Sequence, residues 1–314
     1  MGKLAFLFPG QGAQYPGMAR EACEASAAAA AIFDGGSRAS GLDLRALVFD
    51  GTEAELRVTE NTQPAIVAAS LACLQPLLEA GIRADMTAGL SLGEYCAHVA
   101  AGSLDAADAI ALVRKRGRFM QEAVPVGVGT MAAILGLPDD TVVSVCAEAS
   151  SVGVVEPANF NCPGQVVIAG EVAAVEKACE LAKAAGAKRA LPLAVSAPFH
   201  CSLLKPAGEA LARELAPVVF GAPGMPVVAN VTGEVIGGAD DIRDLLVRQV
   251  SSPVRWEACV CTMLNQGVDT FVEIGPGKVL AGFVRKIAKD ATVYNADDMA
   301  SITQTIEALR ERQV

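Results

Sequence analysis

A serine lies between two glycines in the stretch GLSLGEY, residues 89–95. G-x-S-x-G after an apolar run and before a helical one is the pattern of a nucleophile elbow, a tight turn that exposes the serine hydroxyl. The glycines permit the turn, and the following helix directs its free N–H groups and positive dipole end to the same point. The pattern alone fits an ordinary strand-to-helix turn equally well. It makes Ser91 a candidate nucleophile.

A nucleophilic serine needs a base, and the chain contains 2 histidines. His98 follows Ser91 in the same predicted helix, about 10 Å further along an axis that rises ~1.5 Å per residue. We therefore interpret His98 as a structural residue. His200, in SAPFHC, follows a strand-like run and a proline turn. Alone it could be a capping or core histidine, but beside Ser91 it is the available base.

A catalytic histidine is usually oriented by an acidic residue, but no acidic residue lies near His200 in the sequence. The segment DDIRDLLVRQVSSPVRW predicts a helix that ends before Pro253, which leaves its last carbonyls without helical partners. We hypothesise that the main-chain carbonyl of Gln249 holds the imidazole N–H and favours the imidazolium. This predicts a Ser–His dyad rather than a triad.

An arginine lies on the apolar face of the helix predicted over 103–122. Arg116 shares the 3,4 spacing of the inward stripe formed by Ala109, Leu112, Val113 and Met120, whereas Arg114 and Arg118 lie on another face. A buried guanidinium is costly without an anion, so we expect a carboxylate partner. That carboxylate could belong to the chain itself or to a ligand. Gly117 beside Arg116 allows a close approach.

The elements that must position these residues follow an alternating pattern. Apolar runs (LAFLFPG, TAGLS, MPVVANV, TFVEIG, TVYNA) alternate with amphipathic segments such as 103–123 and 205–215. This predicts a parallel sheet with helices on both faces. Residues 127–195 instead follow a βαββαβ order, with helices at 138–149 and 171–185, which is the split ferredoxin-like pattern.

The predicted fold class is therefore α/β with two subdomains. A large α/β-hydrolase-like subdomain with a parallel sheet takes residues 1–126 and 196–314. A small ferredoxin-like α+β subdomain, residues 127–195, is inserted in it.

Composition narrows the class of protein further. The 314-residue chain is 52% hydrophobic, which indicates a globular protein with a large core. Its longest apolar stretch is too short to span a bilayer, and its N-terminal run lacks the pattern of a signal peptide. The formal net charge of -10 argues against nucleic acid as the main partner, although local basic clusters can bind an acidic protein. We expect a cytoplasmic protein that contacts neither membrane nor nucleic acid.

The 9 cysteines form no CxxC pair. With so few histidines, a zinc site is not expected, and we predict no metal. Most of the cysteines are interpreted as small core residues in a reducing compartment.

Several motifs occur in a fixed order along the chain: FPGQGAQYPGM, GLSLGEY, VRKRGRFMQEA, NFNCPGQVVIAG, SAPFHC and VEIGPGKVL. Together they resemble the malonyl-CoA:acyl-carrier-protein transacylases of bacterial type II fatty-acid synthesis, over residues 3 to about 312. The resemblance implies that Ser91 takes malonyl from malonyl-CoA as an ester and passes it to the phosphopantetheine thiol of holo acyl carrier protein. His200 would act as base and then as acid. Coenzyme A enters as a substrate thioester, and no cofactor is permanently bound.

The resemblance also implies roles for further residues. The oxyanion hole would be the backbone N–H groups of Gln11 and Leu92, and malonyl's free carboxylate would pair with Arg116. The glycines around Gln11 free its backbone to approach a ligand, although GQGAQ by itself is equally an ordinary loop. One departure is Leu90, which stands where the family usually has histidine before the nucleophile.

Other residues are assigned less directly. Asn159 and Asn161 either line the cleft or form a turn, and Phe199 either narrows the pocket or packs in the core. The basic residues after the EIGPG loop either contact an acidic carrier protein or form a solvated helix face; they are Lys278, Arg285, Lys286 and Lys289.

Three alternatives remain open at this point. A serine esterase or thioesterase-type hydrolase shares the elbow and the base. A non-catalytic acyl-carrier-binding scaffold could keep the fold. Within the family, the chain could serve a polyketide pathway.

Overall fold

The computed structural model describes residues 2–195 and 197–313. The elements, in chain order, are β1 (Lys3–Phe8), α1 (Arg20–Ala25), α2 (Ala27–Ser40), a π-helix (Ala46–Asp50), α3 (Glu53–Arg57), α4 (Thr59–Glu79), β2 (Met86–Gly89), α5 (Gly93–Ala100), α6 (Ala106–Ala123), β3 (Gly129–Leu135), α7 (Asp139–Ala149), β4 (Val155–Cys162), β5 (Gln165–Glu171), α8 (Val172–Ala184), β6 (Arg189–Pro192), a 3₁₀ turn (Ser202–Leu204), α9 (Lys205–Leu215), α10 (Ala239–Gln249), α11 (Trp256–Asn265), β7 (Val268–Ile274), α12 (Val279–Ile287), β8 (Thr292–Ala296) and α13 (Met299–Gln313). The ends of the predicted large subdomain at 1, 196 and 314 lie outside the described residues.

A parallel sheet with the strand order β2-β1-β7-β8 forms the centre of the larger part of the chain. Strand β1 lies between β2 and β7, and its residues 5–8 are buried because both faces of the sheet are covered. The segment MPVVANV, predicted as a further strand, forms only single bridges, from Val227 to Thr87 and from Val228 to Val235. That prediction was therefore wrong in extent, because the chain turns away after one bridge to β2.

Helix α4 carries the long apolar stretch noted in the sequence. It is buried over nearly its whole length because it packs mainly against α2 and α6 and also contacts further helices and strand β7. Within the described residues no helix is long and apolar enough to cross a membrane.

A second, antiparallel sheet has the strand order β4-β5-β3-β6, and helices α7 and α8 pack against it. Strand β3 shows the period of two that this arrangement requires. Ala132 and Ile134 pack in a core with α7 and α8, whereas Met131 and Ala133 point to the opposite face and line a cleft. The second sheet therefore forms one wall of that cleft.

The structure confirms the predicted α/β class, with a parallel sheet and a separate antiparallel sheet. The helices predicted over 103–122, 138–149 and 171–185 are present as α6, α7 and α8. Helix α6 begins at Ala106 rather than at 103, because the Asp105 side chain caps it by accepting from the N–H groups of Ala107 and Asp108.

Candidate active site

The turn between β2 and α5 holds Ser91 in a left-handed backbone conformation, with φ at 55°. A Cβ added to Gly89 would lie 1.9 Å from the backbone of Gly93, and one added to Gly93 would lie 2.3 Å from the carbonyl oxygen of Phe8. No side chain fits at either position, which is the physical reason for the G-x-S-x-G pattern. The conformation of Ser91 is unfavourable for a non-glycine residue and needs support from its surroundings.

Two buried side chains hold both peptide groups of this serine. The N–H of Ser91 donates to Oδ1 of Asn230 at 2.6 Å, and Nε2 of Gln249 donates to the carbonyl of Ser91 at 3.0 Å. Asn230 also donates through Nδ2 to the carbonyl of Gly89 at 2.7 Å. The turn is therefore fixed by side chains from two distant segments.

His200 lies beside the serine, with its Nε2 2.7 Å from Oγ of Ser91. Its Nδ1 lies 2.8 Å from the main-chain oxygen of Gln249, at the end of α10. Because a carbonyl only accepts, the proton of the neutral ring belongs on Nδ1, and Nε2 is free to accept from the serine hydroxyl.

Burial of His200 and the nearby charge of Arg116 lower the pKa of the imidazole to about 3. The carbonyls of Gln249 and Ser252 act in the opposite direction and have the smaller effect. The Gln249 carbonyl therefore favours the imidazolium as expected, but burial and the charge of Arg116 outweigh it, and the ring is neutral in the resting site. The neutral ring is the form that can accept a proton.

Arg116 is buried on the inward face of α6 and reaches the same serine. Its NH2 group donates to Oγ of Ser91 at 3.0 Å and to Oε1 of Gln249 at 2.9 Å, and its NH1 group donates to Oε1 of Gln63 at 2.8 Å. Its Nε has no partner within the described part of the chain. All three acceptors are neutral, so the guanidinium has hydrogen bonds but no carboxylate in direct contact.

The close approach that Gly117 permits is made by the chain itself. A Cβ at this position would lie 2.7 Å from the carbonyl oxygen of Thr59, so glycine lets α6 pack directly against the start of α4. This contact brings Arg116 next to Gln63, on the second turn of α4.

A cleft of about 310 Å³ opens onto these groups. Among the described residues that line it, the charged ones are Arg57 and Arg116, and none is an Asp or a Glu. The lining also includes several residues singled out in the sequence, namely Gln11, Leu90, Asn159, Asn161, Phe199 and His200. A cleft with this lining favours an anionic ligand.

The loop with Gln11 packs tightly against the elbow. A Cβ at Gly10 would lie 2.9 Å from the carbonyl oxygen of Leu90, so glycine allows the two backbones to touch. The backbone N–H groups of Gln11 and Leu92 donate to no acceptor in the described ranges. Leu92 itself is the N-cap of α5, with its side chain buried.

A family model for the acyl transferase domain matches residues 5–310. The chain belongs to this acyl transferase family. It is 48% identical over 308 residues to the malonyl CoA-acyl carrier protein transacylase of Escherichia coli K12, covering 98% of this chain and 100% of the relative. The resemblance inferred from the motifs is thereby confirmed.

Two solved structures have the same fold as this acyl transferase over nearly its whole length. The acyl-carrier-protein S-malonyltransferase of Burkholderia pseudomallei superimposes with a TM-score of 0.94 at 51% identity, covering 97% of this chain and 99% of the other. A malonyl-transacylase solved in complex with a type II polyketide acyl-carrier protein gives a TM-score of 0.94 at 46% identity, covering 98% and 99%.

Sequence reasoning missed three polar residues of this acyl transferase site: Gln63, Glu94 and Asn230. All three are buried. Gln63 accepts from Arg116, and Asn230 accepts from the N–H of Ser91. Glu94 accepts from Gln249, which contacts both Ser91 and Arg116. Glu94 stands inside GLSLGEY, and Asn230 stands near the end of MPVVANV. A polar residue within an otherwise apolar run was the available signal.

Glu94 is the one carboxylate in this group. Burial raises its pKa to about 7, against the lowering effects of the Asn230 N–H, the Gln249 amide and the charge of Arg116. No ion pair joins Glu94 to Arg116, and the Gln249 amide lies between them.

We predict that Gly93→Ala destabilises this acyl transferase. The new methyl group would collide with the Phe8 carbonyl, and overpacking of this kind costs about 1–3 kcal/mol. Thermal denaturation should show a lower Tm. The matched control is Gly282→Ala in α12, where a Cβ meets nothing within 4 Å and alanine favours the helix. Equal stability of the Gly93 variant and the parent would contradict the account of the elbow.

Proposed function

We propose that this protein transfers a malonyl group from malonyl-CoA to the phosphopantetheine thiol of acyl carrier protein through an ester on Ser91. The observation that carries the proposal is the meeting of two groups at one oxygen. Oγ of Ser91 lies 2.7 Å from Nε2 of His200 and 3.0 Å from NH2 of Arg116. The names of the relatives support the same reaction.

In the first half-reaction, Oγ of Ser91 attacks the thioester carbonyl carbon while Nε2 of His200 takes the hydroxyl proton. The carbonyl oxygen becomes an oxyanion, and we assign its stabilisation to the N–H groups of Gln11 and Leu92. When the C–S bond breaks, coenzyme A leaves and takes the proton from His200. Malonyl remains on Ser91 as an ester.

The second half-reaction runs the same chemistry in reverse. The carrier's phosphopantetheine thiol gives its proton to His200 as its sulfur attacks the ester carbonyl. The C–O bond then breaks, and Ser91 regains its proton from His200. The Nδ1–H bond to the Gln249 carbonyl keeps the ring in one tautomer throughout, and it stabilises the imidazolium that forms transiently.

Arg116 has the properties needed to bind malonyl's free carboxylate. It is buried at the cleft, its internal partners are neutral, and its Nε carries an unused N–H group. A planar guanidinium can bind a carboxylate through two parallel hydrogen bonds. Asn159 and Phe199, which line the same cleft, are assigned to its walls.

The division into subdomains belongs to the same proposal. A large α/β-hydrolase-like subdomain, residues 1–126 and 196–314, would carry the nucleophile and the base, and a small ferredoxin-like one, residues 127–195, would cover the acyl group. The strand order β4-β5-β3-β6 and the cleft-facing Met131 and Ala133 support this division.

Compartment and cofactors follow from the chemistry proposed. All 9 cysteines are free thiols, which supports a reducing, cytoplasmic location. Ser91 and His200 supply the nucleophile and the base, so coenzyme A is needed only as part of the substrate.

The first prediction of the proposal concerns the covalent intermediate. After mixing with malonyl-CoA, the intact mass of the wild type should increase by one malonyl on Ser91, and Ser91→Ala should gain none. His200→Ala should acylate at least ~10²-fold more slowly, the low end for a positioned base. Addition of holo carrier protein should transfer the malonyl label from Ser91 to the carrier thiol. Release to water at the same rate would favour the hydrolase instead, and a label on Cys96 or Cys201 would overturn the nucleophile assignment.

A second prediction concerns Arg116. In Arg116→Ala, the malonyl carboxylate loses a charge-assisted bidentate partner, which should lower kcat/KM for malonyl-CoA by about 10- to 10²-fold. Acetyl-CoA has no carboxylate, and in this variant it no longer faces a buried unpaired guanidinium. The ratio of kcat/KM for malonyl-CoA over acetyl-CoA should therefore collapse. Arg116→Lys should fall between, because a point charge cannot replace the planar fork. A parallel drop for both acyl groups, with a lower Tm, would mean that Arg116 only braces the fold.

A third prediction concerns the carrier protein. Helix α12 lines the cleft through Val279, Leu280 and Phe283. The basic residues on this helix or within two residues of its ends are exposed, and we assign to them the docking of an acidic carrier protein: Lys278, Arg285, Lys286 and Lys289. Charge reversal of this set should raise KM for carrier protein, more at low salt, and leave malonyl-CoA kinetics unchanged. The matched control is Arg213→Glu on α9, which is exposed and outside the cleft lining. Equal effects on both substrates would contradict a docking role.

A further inference from the structure

One buried carboxylate of the site has no part in the reaction described so far. Glu94, in the first turn of α5, is fully buried. Its Oε2 accepts from Nε2 of Gln249 at 2.7 Å and from the N–H of Asn230 at 3.0 Å. Its Oε1 has no partner among the described residues. A buried carboxylate bonded only to neutral donors is costly, so its presence calls for a function.

Both partners of Glu94 hold the backbone of the nucleophile. Asn230 accepts from the N–H of Ser91, and Gln249 donates to the carbonyl of Ser91. A single oxygen of Glu94 therefore links the Gln249 side chain to the main chain of Asn230, and the side chains of these two residues keep Ser91 in its left-handed conformation. The link closes a ring of hydrogen bonds around the elbow.

Gln249 also connects Glu94 to the other two groups of the site. Its main-chain oxygen accepts from Nδ1 of His200, and its Oε1 accepts from Arg116. A carboxylate only accepts, and a guanidinium only donates. Glu94 on one side and Arg116 on the other therefore admit one orientation of the Gln249 amide, with Nε2 toward the carboxylate.

We propose that Glu94 is the positioning residue of the Ser91–His200 pair, acting through Gln249 and Asn230 without touching the substrate. The inference rests on the proposed acyl transfer from Ser91. The Ser91–His200 dyad then has an acidic residue that acts on the imidazole through Gln249, which lies between the two. Displacement of reacting groups by about 1 Å can cost about 10²-fold in rate, so loss of this carboxylate should slow the chemical step.

The alternative is that Glu94 only stabilises the fold, as an acidic residue in the first turn of a helix. The two roles differ in what they change. A positioning role lowers the rate at which each folded molecule acylates Ser91. A purely structural role lowers the number of folded molecules and leaves the rate of the remainder unchanged.

The test is single-turnover acylation by malonyl-CoA, followed by quenching and intact mass, with both the rate and the final labelled fraction recorded. Glu94→Met keeps the volume and removes the acceptor, and it should acylate ~10²-fold more slowly to the same final fraction. Glu94→Gln keeps an oxygen that can face Gln249 and Asn230 but loses the charge. It should remain within about 10-fold of the wild type while still being slower, because charge-assisted hydrogen bonds are the stronger ones.

The matched control is His98→Ala, one turn further along α5. His98 is equally buried, and its Nδ1 lies 3.0 Å from Oγ of Ser103, away from the elbow. This variant should have a lower Tm and an unchanged acylation rate per labelled molecule. Should Glu94→Met not fold, Glu94→Gln decides, and a rate equal to that of the wild type overturns the inference.

A double-mutant cycle tests the route through Gln249. If Glu94 acts through this side chain, Glu94→Met combined with Gln249→Ala should lose less than the product of the two single losses. Independent, multiplicative losses would overturn the route. The wild type separates this inference from the proposed function: no malonyl label on wild-type Ser91 refutes acyl transfer, whereas normal labelling together with a normal rate in both Glu94 variants refutes only the role of Glu94.

Discussion

The left-handed backbone of Ser91 is the constraint to which the rest of the site is fitted. That conformation lifts the hydroxyl out of the turn between β2 and α5, and it is unfavourable for any residue with a side chain. Gly89 and Gly93 make the turn sterically possible. The N–H of the serine donates to Asn230 and its carbonyl accepts from Gln249, and these two hydrogen bonds hold it in place.

Gln249 carries more of this arrangement than its residue type suggests. Its main chain orients His200, its side-chain oxygen binds Arg116, and its amide nitrogen reaches Ser91 and Glu94. One residue at the end of α10 thus sets the relative positions of nucleophile, base and cation. Because α10 ends at Gln249, its carbonyl has no helical partner and can accept from the imidazole.

Charge in the site is arranged without direct ion pairs. The buried Arg116 donates to neutral oxygens, and the buried Glu94 accepts from neutral N–H groups, with the Gln249 amide between them. Burial, together with the charge of Arg116, lowers the pKa of His200 to about 3 and keeps the ring neutral, so it can accept the proton of the serine. The same guanidinium suits a cleft that receives an anionic acyl group.

The sequence by itself determined the features that local physics controls. The elbow is indicated by two glycines at positions where no side chain would fit. Helix α6 is indicated by its apolar stripe, and the inward position of Arg116 follows from helical periodicity. Scarcity also helped, since His200 was the one histidine that could reach Ser91. Only the tertiary structure decided which side chains hold the backbone of Ser91 and which neutral groups accept from Arg116. Gln63, Glu94, Asn230 and Gln249 come from separate elements and meet through contacts of long sequence separation, such as the packing of Gly117 against Thr59. It also decided that burial outweighs the Gln249 carbonyl at His200, because desolvation depends on every neighbour of the ring and no local pattern records them.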